Sequence, residues 1–364
     1  MSEDNKRKSK GSTATEESVK KAKAVAETNV DFKAPLVDTF QAPNDGNALL
    51  LKLIHTRVMS VKTREEIIYS AQRDDNLCLV FKGLATKRFL SVPVFTQGEK
   101  HKWLSFIDLS DIVSYVTQNF TEAKMKESEL KGFWHLADEE EAFKKLKVND
   151  VMPFPTKENK FHPITSDYSL FSVVEIMARD PHAHHIAVLD NMTDRKLLSI
   201  LTNSQIINFI YSHINLLGSK KDLLIKDFRG LGSEVLTIQE SSLAIDAFKL
   251  MHDKQVSGLA IVNAQGSLVD TISTRDLKGM ATDGSLFWRL YKPVSDFIEY
   301  LKNDRTTLRP RNPVFCLEDE TFESILTKLY TNQIHRIFVV DSVSSQKPIK
   351  VISIGDLLLQ VLPF

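Results

Sequence analysis

Beyond residue 45 the chain alternates between two apolar patterns. Short, largely β-branched runs bounded by polar turns, such as "IHRIFVVD" (residues 334–341) and "KVISIGDLL" (350–358), predict strands, the second leading into a helix. Runs with apolar residues three and four apart, clearest in "SSLAIDAFKLMHDKQ" (241–255) and "DETFESILTKLYTNQ" (319–333), predict helices. The two patterns recur together. "AHHIAVLDNMTDRKLLSILTNSQIINFI" (183–210) matches "IHRIFVVDSVSSQKPIKVISIGDLLLQVL" (334–362): a strand ends in Asp190 or Asp341, a polar turn follows, and a second strand runs into a helix. "VSGLAIVNAQGSLVDTISTRDLKGMA" (256–281) is a third copy, with Asn263 at the strand end. The most divergent copy, "FLSVPVFTQGEKHKWLSFIDLSDIVSYV" (89–116), has Pro93 inside its strand.

The predicted class is α+β: a unit of strand, helix, strand, strand, helix, repeated over residues 49–119, 147–214, 222–288 and 293–361. Units of about 60 residues are too long for a solenoid and short for independent stability, so they should pair. Two units packed sheet to sheet form one globule, and four form two globules with their clefts facing inward. Residues 120–146 read as a charged linker, in which Phe133 and Trp134 point to packing rather than a free tether.

Composition adds bounds. The 364 residues are 42% hydrophobic and 26% charged, an ordinary globular mixture. Basic and acidic residues number 47 each, so no overall field recruits nucleic acid or a membrane, and any charged site is local. No apolar run approaches the roughly 18 residues of a membrane span, and the polar N-terminal stretch is unlike a secretory signal. Cys78 and Cys316, far apart in apolar runs, read as buried free thiols of a reducing compartment, so cytosol or nucleus is the expected location. Residues 1–45, rich in Lys, Glu, Ser and Ala, read as a disordered arm. Within it Lys6 and Arg7, then Lys20, Lys21 and Lys23, have the layout of a two-part nuclear import signal, or simply of a solvated tail. The sequence has no phosphate-binding Gly-Lys-Ser/Thr loop, nucleophile elbow or zinc-helix motif, and "RGLGS" (229–233) reads as a turn. A non-catalytic binding protein is therefore the expectation.

The fourfold pattern of "IHRIFVVD" followed by "VISIGDLL" resembles cystathionine-beta-synthase (CBS) domains. Its arrangement, over about residues 49–361, is similar to the gamma regulatory subunit of AMP-activated, sucrose-non-fermenting-type protein kinases. That resemblance implies two Bateman modules in a disc and AMP, ADP or ATP as regulatory ligands, with no covalent cofactor. It implies a kinase catalytic subunit and a scaffold subunit as partners. Fungal four-repeat regulators of a protein phosphatase, and a ligand-free CBS scaffold, are the alternatives.

A Ser or Thr, two spacers and an Asp at a helix start place a carboxylate where it can accept hydrogen bonds from both hydroxyls of a ribose. Ser353 to Asp356, Ser273 to Asp276 and Ser105 to Asp108 fit this spacing; in the second repeat Thr202 leads instead to Gln205. Each Asp would serve equally as a helix cap. Three acids with the fourth missing resembles the gamma-subunit pattern of ribose sites. The resemblance further implies phosphate contacts from the basic pairs His184-His185 and His335-Arg336. Arg suits that role by its planar fork, and His by carrying charge near neutral pH. Packing is the alternative for these histidines, and a metal site a weaker third. Ser257, in the register of His335, and Thr274 complete ribose or phosphate contacts or satisfy local backbone. There are departures from the family. Leu90 stands where it carries a phosphate-binding Arg, with Arg88 two residues away on the same face if the strand extends so far, and Ser204 replaces another basic residue. Fewer cations would favour a monophosphate or a phosphate-free adenosyl compound.

Overall fold

The computed structural model describes residues 48–61, 69–99, 101–119, 123, 144–152, 162, 164–232, 234–279, 286–303, 310 and 312–363. The expected arm with its basic clusters lies outside these residues, as does nearly all of the 120–146 linker with Phe133 and Trp134.

Four three-stranded sheets share one design. In the first, β1 (Ala71–Gln72) runs parallel to β2 (Ser91–Phe95), which pairs antiparallel with β3 (Trp103–Asp108). The second contains β4 (Ile164–Thr165), β5 (His185–Leu189) and β6 (Leu197–Thr202). The third contains β7 (Thr237–Gln239), β8 (Gly258–Val262) and β9 (Leu268–Ser273), and the fourth β10 (Phe315–Cys316), β11 (Arg336–Val340) and β12 (Pro348–Ser353). Every hairpin shifts register at the same place, Val94/Phe95, Val188/Leu189, Ile261/Val262 and Val339/Val340. Its far end aligns Ser91 with Asp108, His185 with Thr202, Gly258 with Ser273 and Arg336 with Ser353. Pro93 is tolerated in a middle strand because β1 reaches only Val94 and Phe95, so no ladder N–H is wanted from residue 93 on that side.

A helix crosses between the first two strands of each unit: α2 (Leu77–Lys87), α5 (Leu170–Arg179), α7 (Ala244–Asp253) and α10 (Phe322–Thr331). Each carries one apolar stripe; α5 buries Leu170, Val173, Val174 and Met177, spaced as one helical face requires. Asn76 and Thr321 cap two of these helices, their side-chain oxygens accepting from the Leu79 and Ser324 N–H groups. A second helix follows the third strand in three units, α3 (Leu109–Asn119), α6 (Asn203–Ser212) and α11 (Ile354–Val361), and a 3-10 turn (Thr274–Gly279) takes its place in the third.

Sheets and helices pair the units differently. Sheet to sheet, unit 1 faces unit 2 through Phe95 and Trp103 against Ala187 and Leu197, and unit 3 faces unit 4 through Ala260 and Leu268 against Phe338 and Val340. The helices then join the pairs. Units 1 and 3 share one core, including Phe81, Ile112, Phe248 and Leu259; units 2 and 4 share another, including Val174, Ile206, Leu326 and Leu357. Burial of each such side chain contributes about 1.5–3 kcal/mol.

The segments leading into each unit cross over to its sheet partner. Helix α1 (Ala48–His55), ahead of unit 1, buries Leu49 and Leu53 in the core of units 2 and 4, and the Val58 N–H donates to the Tyr168 carbonyl (3.1 Å). The turn α4 (Val148–Val151), ahead of unit 2, buries Val148 in the core of units 1 and 3, its N–H donating to Asp75 (3.0 Å). The second pair repeats the exchange. The Ile225 N–H donates to Glu320 (3.0 Å), while the Val294 N–H, which opens α9 (Val294–Asn303) after the short helix α8 (Leu286–Arg289), donates to Ser242 (2.8 Å).

Candidate functional site

Each hairpin ends in a corner closed by one backbone bond. The residue after the third strand donates its N–H to the carbonyl of the residue before the second: Leu109 to Leu90 (2.6 Å), Asn203 to His184 (3.4 Å), Thr274 to Ser257 (3.1 Å) and Ile354 to His335 (3.1 Å). The start of one strand thus lies beside the start of a helix, where N–H groups are unsatisfied.

In unit 4 Ser353 caps α11. Its N–H and hydroxyl donate to Asp356 Oδ2 (2.7 and 2.6 Å), and its Oγ accepts from the Asp356 N–H (3.2 Å). In unit 3 the Ser273 N–H and hydroxyl reach Asp276 Oδ2 (2.7 and 3.2 Å). In unit 2 Gln205 Oε1 takes the N–H and hydroxyl of Thr202 (2.8 and 2.9 Å). An uncharged amide therefore serves the cap as well as an acid does. At Asp356 the cap engages Oδ2, and Oδ1 lies outside it. Gly355 answers to packing: a Cβ there would stand 3.1 Å from the Met177 carbonyl of α5.

Unit 1 departs from the expected register. Strand β3 runs on to Asp108, which stands where Thr202, Ser273 and Ser353 stand, and the capping acid is Asp111, whose Oδ2 accepts from the Asp108 N–H (3.1 Å). Ser105 lies inside the strand opposite Val94 and is buried. Nor is Arg88 on the strand: it ends α2 at φ 56, and β2 begins only at Ser91. Gln255 and Gln333 hold the matching left-handed positions (φ 53 and 51). Burial pushes the two carboxyls up, Asp108 to about 6, against the Ser91 hydrogen bond, and Asp111 to about 7, where the Asp108 charge adds to the effect.

The four basic residues singled out above come together, joined by two from unit 3. His335 Nε2 of unit 4 lies 2.8 Å from Ser204 Oγ of unit 2. Arg336 donates through Nη2 to Ser257 Oγ of unit 3, and Arg275 of unit 3 donates through Nη1 to the Gln333 carbonyl of unit 4. His184 Nδ1 is 3.3 Å from Asn203 Nδ2, and His185 Nε2 is 3.4 Å from Ser91 Oγ of unit 1. Lys278 acts on both His185 and His335. Burial first, and the neighbouring cations second, push His184 and His185 down to about 4 and His335 well below its usual range. Arg336 falls to about 10 for the same reasons, with Asp276 opposing. Three imidazoles kept neutral by burial, packed beside the cationic Arg275, Lys278 and Arg336, form a site that an anion would relax.

Arg275, Lys278, Asn203 and Asp111 were not anticipated, although two left a signal. Arg275 occupies the spacer register of Ser110, Ser204 and Gly355, and Lys278 occupies the register of the buried Val113, Ile207 and Leu358. A Lys at a core position of a repeat marks a departure from packing. Among the described residues no group of three or more His, Cys, Asp or Glu could hold a metal ion, and no helix is long and apolar enough to cross a membrane. Neither cysteine forms a disulfide, and burial pushes the Cys316 thiol up to about 12.

Four sheets of one topology, each ending in the same capped corner, make up a mixed α+β fold of tandem CBS repeats. The family model for the CBS domain matches residues 225–281 and 308–362. The chain is similar to fungal proteins called SDS23. It is 24% identical to that of Scheffersomyces stipitis over 296 residues, covering 75% of this chain and 54% of the relative. With that of Yarrowia lipolytica it shares 23% over 326 residues, covering 85% and 62%. With that of Candida albicans it shares 27% over 191 residues, covering 51% and 30%. The matches thus span between about a third and three fifths of these curated relatives. Among solved structures, protein MJ1225 of Methanocaldococcus jannaschii, described as a proposed archaeal homologue of g-AMPK, has the same fold. Its TM-score is 0.61 at 15% identity, over 83% of this chain and 99% of that one.

Proposed function

We propose that this chain is a non-catalytic regulatory protein that binds adenine nucleotides between its repeats. The observation that carries the reading is the convergence of His184, His185, Arg275, Lys278, His335 and Arg336 beside the capped acids Asp276 and Asp356. The cations suit phosphate, and the acids suit the hydroxyl pair of a ribose. Asp111 takes the place of Asp108 as the third acid, in a corner where Leu90 and Ser91 supply no cation. Ligand would favour one arrangement of the two pairs, and a partner would read it with a coupling of roughly 1–3 kcal/mol.

Two partner classes remain from the sequence, a protein kinase with its scaffold and a protein phosphatase. The fungal origin of the relatives favours the phosphatase regulator, acting in cytosol or nucleus. Calorimetric titration of the full chain with AMP, ADP, ATP and S-adenosylmethionine tests the ligand: saturable binding that Asp356→Ala weakens supports it, and no binding leaves a protein scaffold. Capture of the tagged chain with phosphatase rather than kinase subunits supports the partner; kinase subunits alone would reverse it.

A further inference from the structure

Two histidines of the cation cluster are held by groups that suit either protonation state. His184 Nδ1 faces Asn203 Nδ2 at 3.3 Å, the arrangement for a ring nitrogen that accepts. The other end of that carboxamide, Oδ1, is buried without a hydrogen-bond partner among the described residues, and Asn203 is only 8% exposed. A half-turn of the amide exchanges its ends and sets Oδ1 against Nδ1, where it accepts from a protonated ring. His335 Nε2 meets Ser204 Oγ at 2.8 Å, and a hydroxyl donates to a neutral imidazole nitrogen as readily as it accepts from a charged one.

The surroundings decide which state is held. His184 faces His185, Arg336, His182 and, with opposite sign, Asp180; His335 faces Arg275, Arg336, His184 and Lys278. Burial and this positive company outweigh Asp180 and keep both rings neutral. A phosphate would reverse the local field, offsetting Arg275, Lys278 and Arg336 and attracting a proton. The buried, unused acceptor on Asn203 is the group that such a proton would satisfy.

We propose that a phosphate-bearing ligand enters this cluster together with a proton taken from solvent by His184 or His335, so that binding tightens as pH falls. This rests on the nucleotide reading above and adds pH as a second input to the same site.

The test is calorimetric titration of AMP into the full chain at about pH 6.5 in two buffers of unlike ionisation enthalpy, which counts the protons taken up per ligand. The same titration of the double variant His184→Gln, His335→Gln removes the rings, while the ligand phosphate, with its own pKa near ~6, contributes alike to both proteins. The wild type is expected to take up at least about half a proton more than the variant, with an affinity that rises more steeply as pH falls. Equal uptake overturns the proposal and leaves the nucleotide reading standing; failure of the wild type to bind AMP overturns both. Should the variant not fold, ring-proton NMR of the wild type decides. The His184 midpoint is expected to rise by about one pH unit or more with AMP, and an unchanged midpoint for both rings overturns the proposal.

Discussion

The guanidinium of Arg336 occupies the space that a side chain at residue 258 would need: a Cβ on Gly258 would stand 1.7 Å from Nη1 and 2.5 Å from Cζ. The two residues hold the same register, each opening the middle strand of its sheet, so one strand start is bare in order that the other can cross it. Gly258→Val is expected to displace Arg336 and weaken AMP binding about tenfold or more, the scale of a lost charge-assisted hydrogen bond. Arg336→Gln should do the same. In the double variant the two losses should not add, because both remove one contact. Titration of the three proteins with AMP checks this, and additive losses would show that Gly258 acts elsewhere.

Asp356 separates capping from binding. Asp356→Ala removes the acceptor of the Ser353 N–H and should cost about 1 kcal/mol of stability. Asp356→Asn keeps an oxygen for that N–H, as Gln205 does for Thr202, and should unfold within about 0.5 kcal/mol of the wild type. Both should lose AMP affinity. Unchanged affinity in the Asn variant would reduce Asp356 to a cap.

The acid pair of unit 1 gives a pH dependence of definite sign. Asp111 is raised to about 7 in the folded chain from an ordinary 3.8, so the folded state holds the extra proton between those values. Stability from this group therefore grows as pH falls through that window, and the charged pair is a burden above it. Asp111→Asn should stabilise the chain by about 1–2 kcal/mol at pH 7.5, and the gap should close towards pH 5. Urea unfolding at the two pH values measures it. His184 works in the opposite sense, since a ring held down to about 4 favours the unfolded state as pH falls below about 6.5, but that contribution cancels in the comparison.

The "RGLGS" turn does more than turn. Arg229 Nη2 donates to the Leu359 and Leu362 carbonyls at the end of α11 (2.7 and 2.9 Å), and Gln360 pairs with both the N–H and the carbonyl of Arg229 (2.9 and 3.0 Å). Orphan carbonyls of a helix end are thereby satisfied by a cation. Arg229→Ala should cost about 1.5–3 kcal/mol in urea unfolding without altering AMP affinity. A change in affinity would tie this clamp to the site.

The strands and crossing helices were legible because each carries its own periodicity; "RIFVV" and "ESILTKL" need no neighbour to be read. The corners were legible in three units and misplaced in the first. There "SFID" satisfies the Ser-x-x-Asp pattern, whereas the corner is built on "DLSD", which opens with an acid instead of a hydroxyl, and the pairing of Asp108 with Ser91 sets that register. The spacing from His184 to Thr202, and from His335 to Ser353, is 18 residues, and the same step from Leu90 lands on Asp108. Arg275 and Lys278 stayed hidden because their partners, Gln333, His185 and His335, belong to other units. Which units meet by sheets and which by helices is fixed by packing between distant segments, and local periodicity is silent on that.

The crossed lead-ins bear on how such a chain comes into being. During synthesis α1 leaves the ribosome about 120 residues ahead of α5, the helix it packs against, so its apolar face must wait, uncovered, for the next unit to emerge. A gene fragment carrying one unit inherits a foreign neighbour's cover and leaves its own behind. Duplication, fusion or truncation of this sequence therefore succeeds in steps of two units, and the pair is what heredity can move.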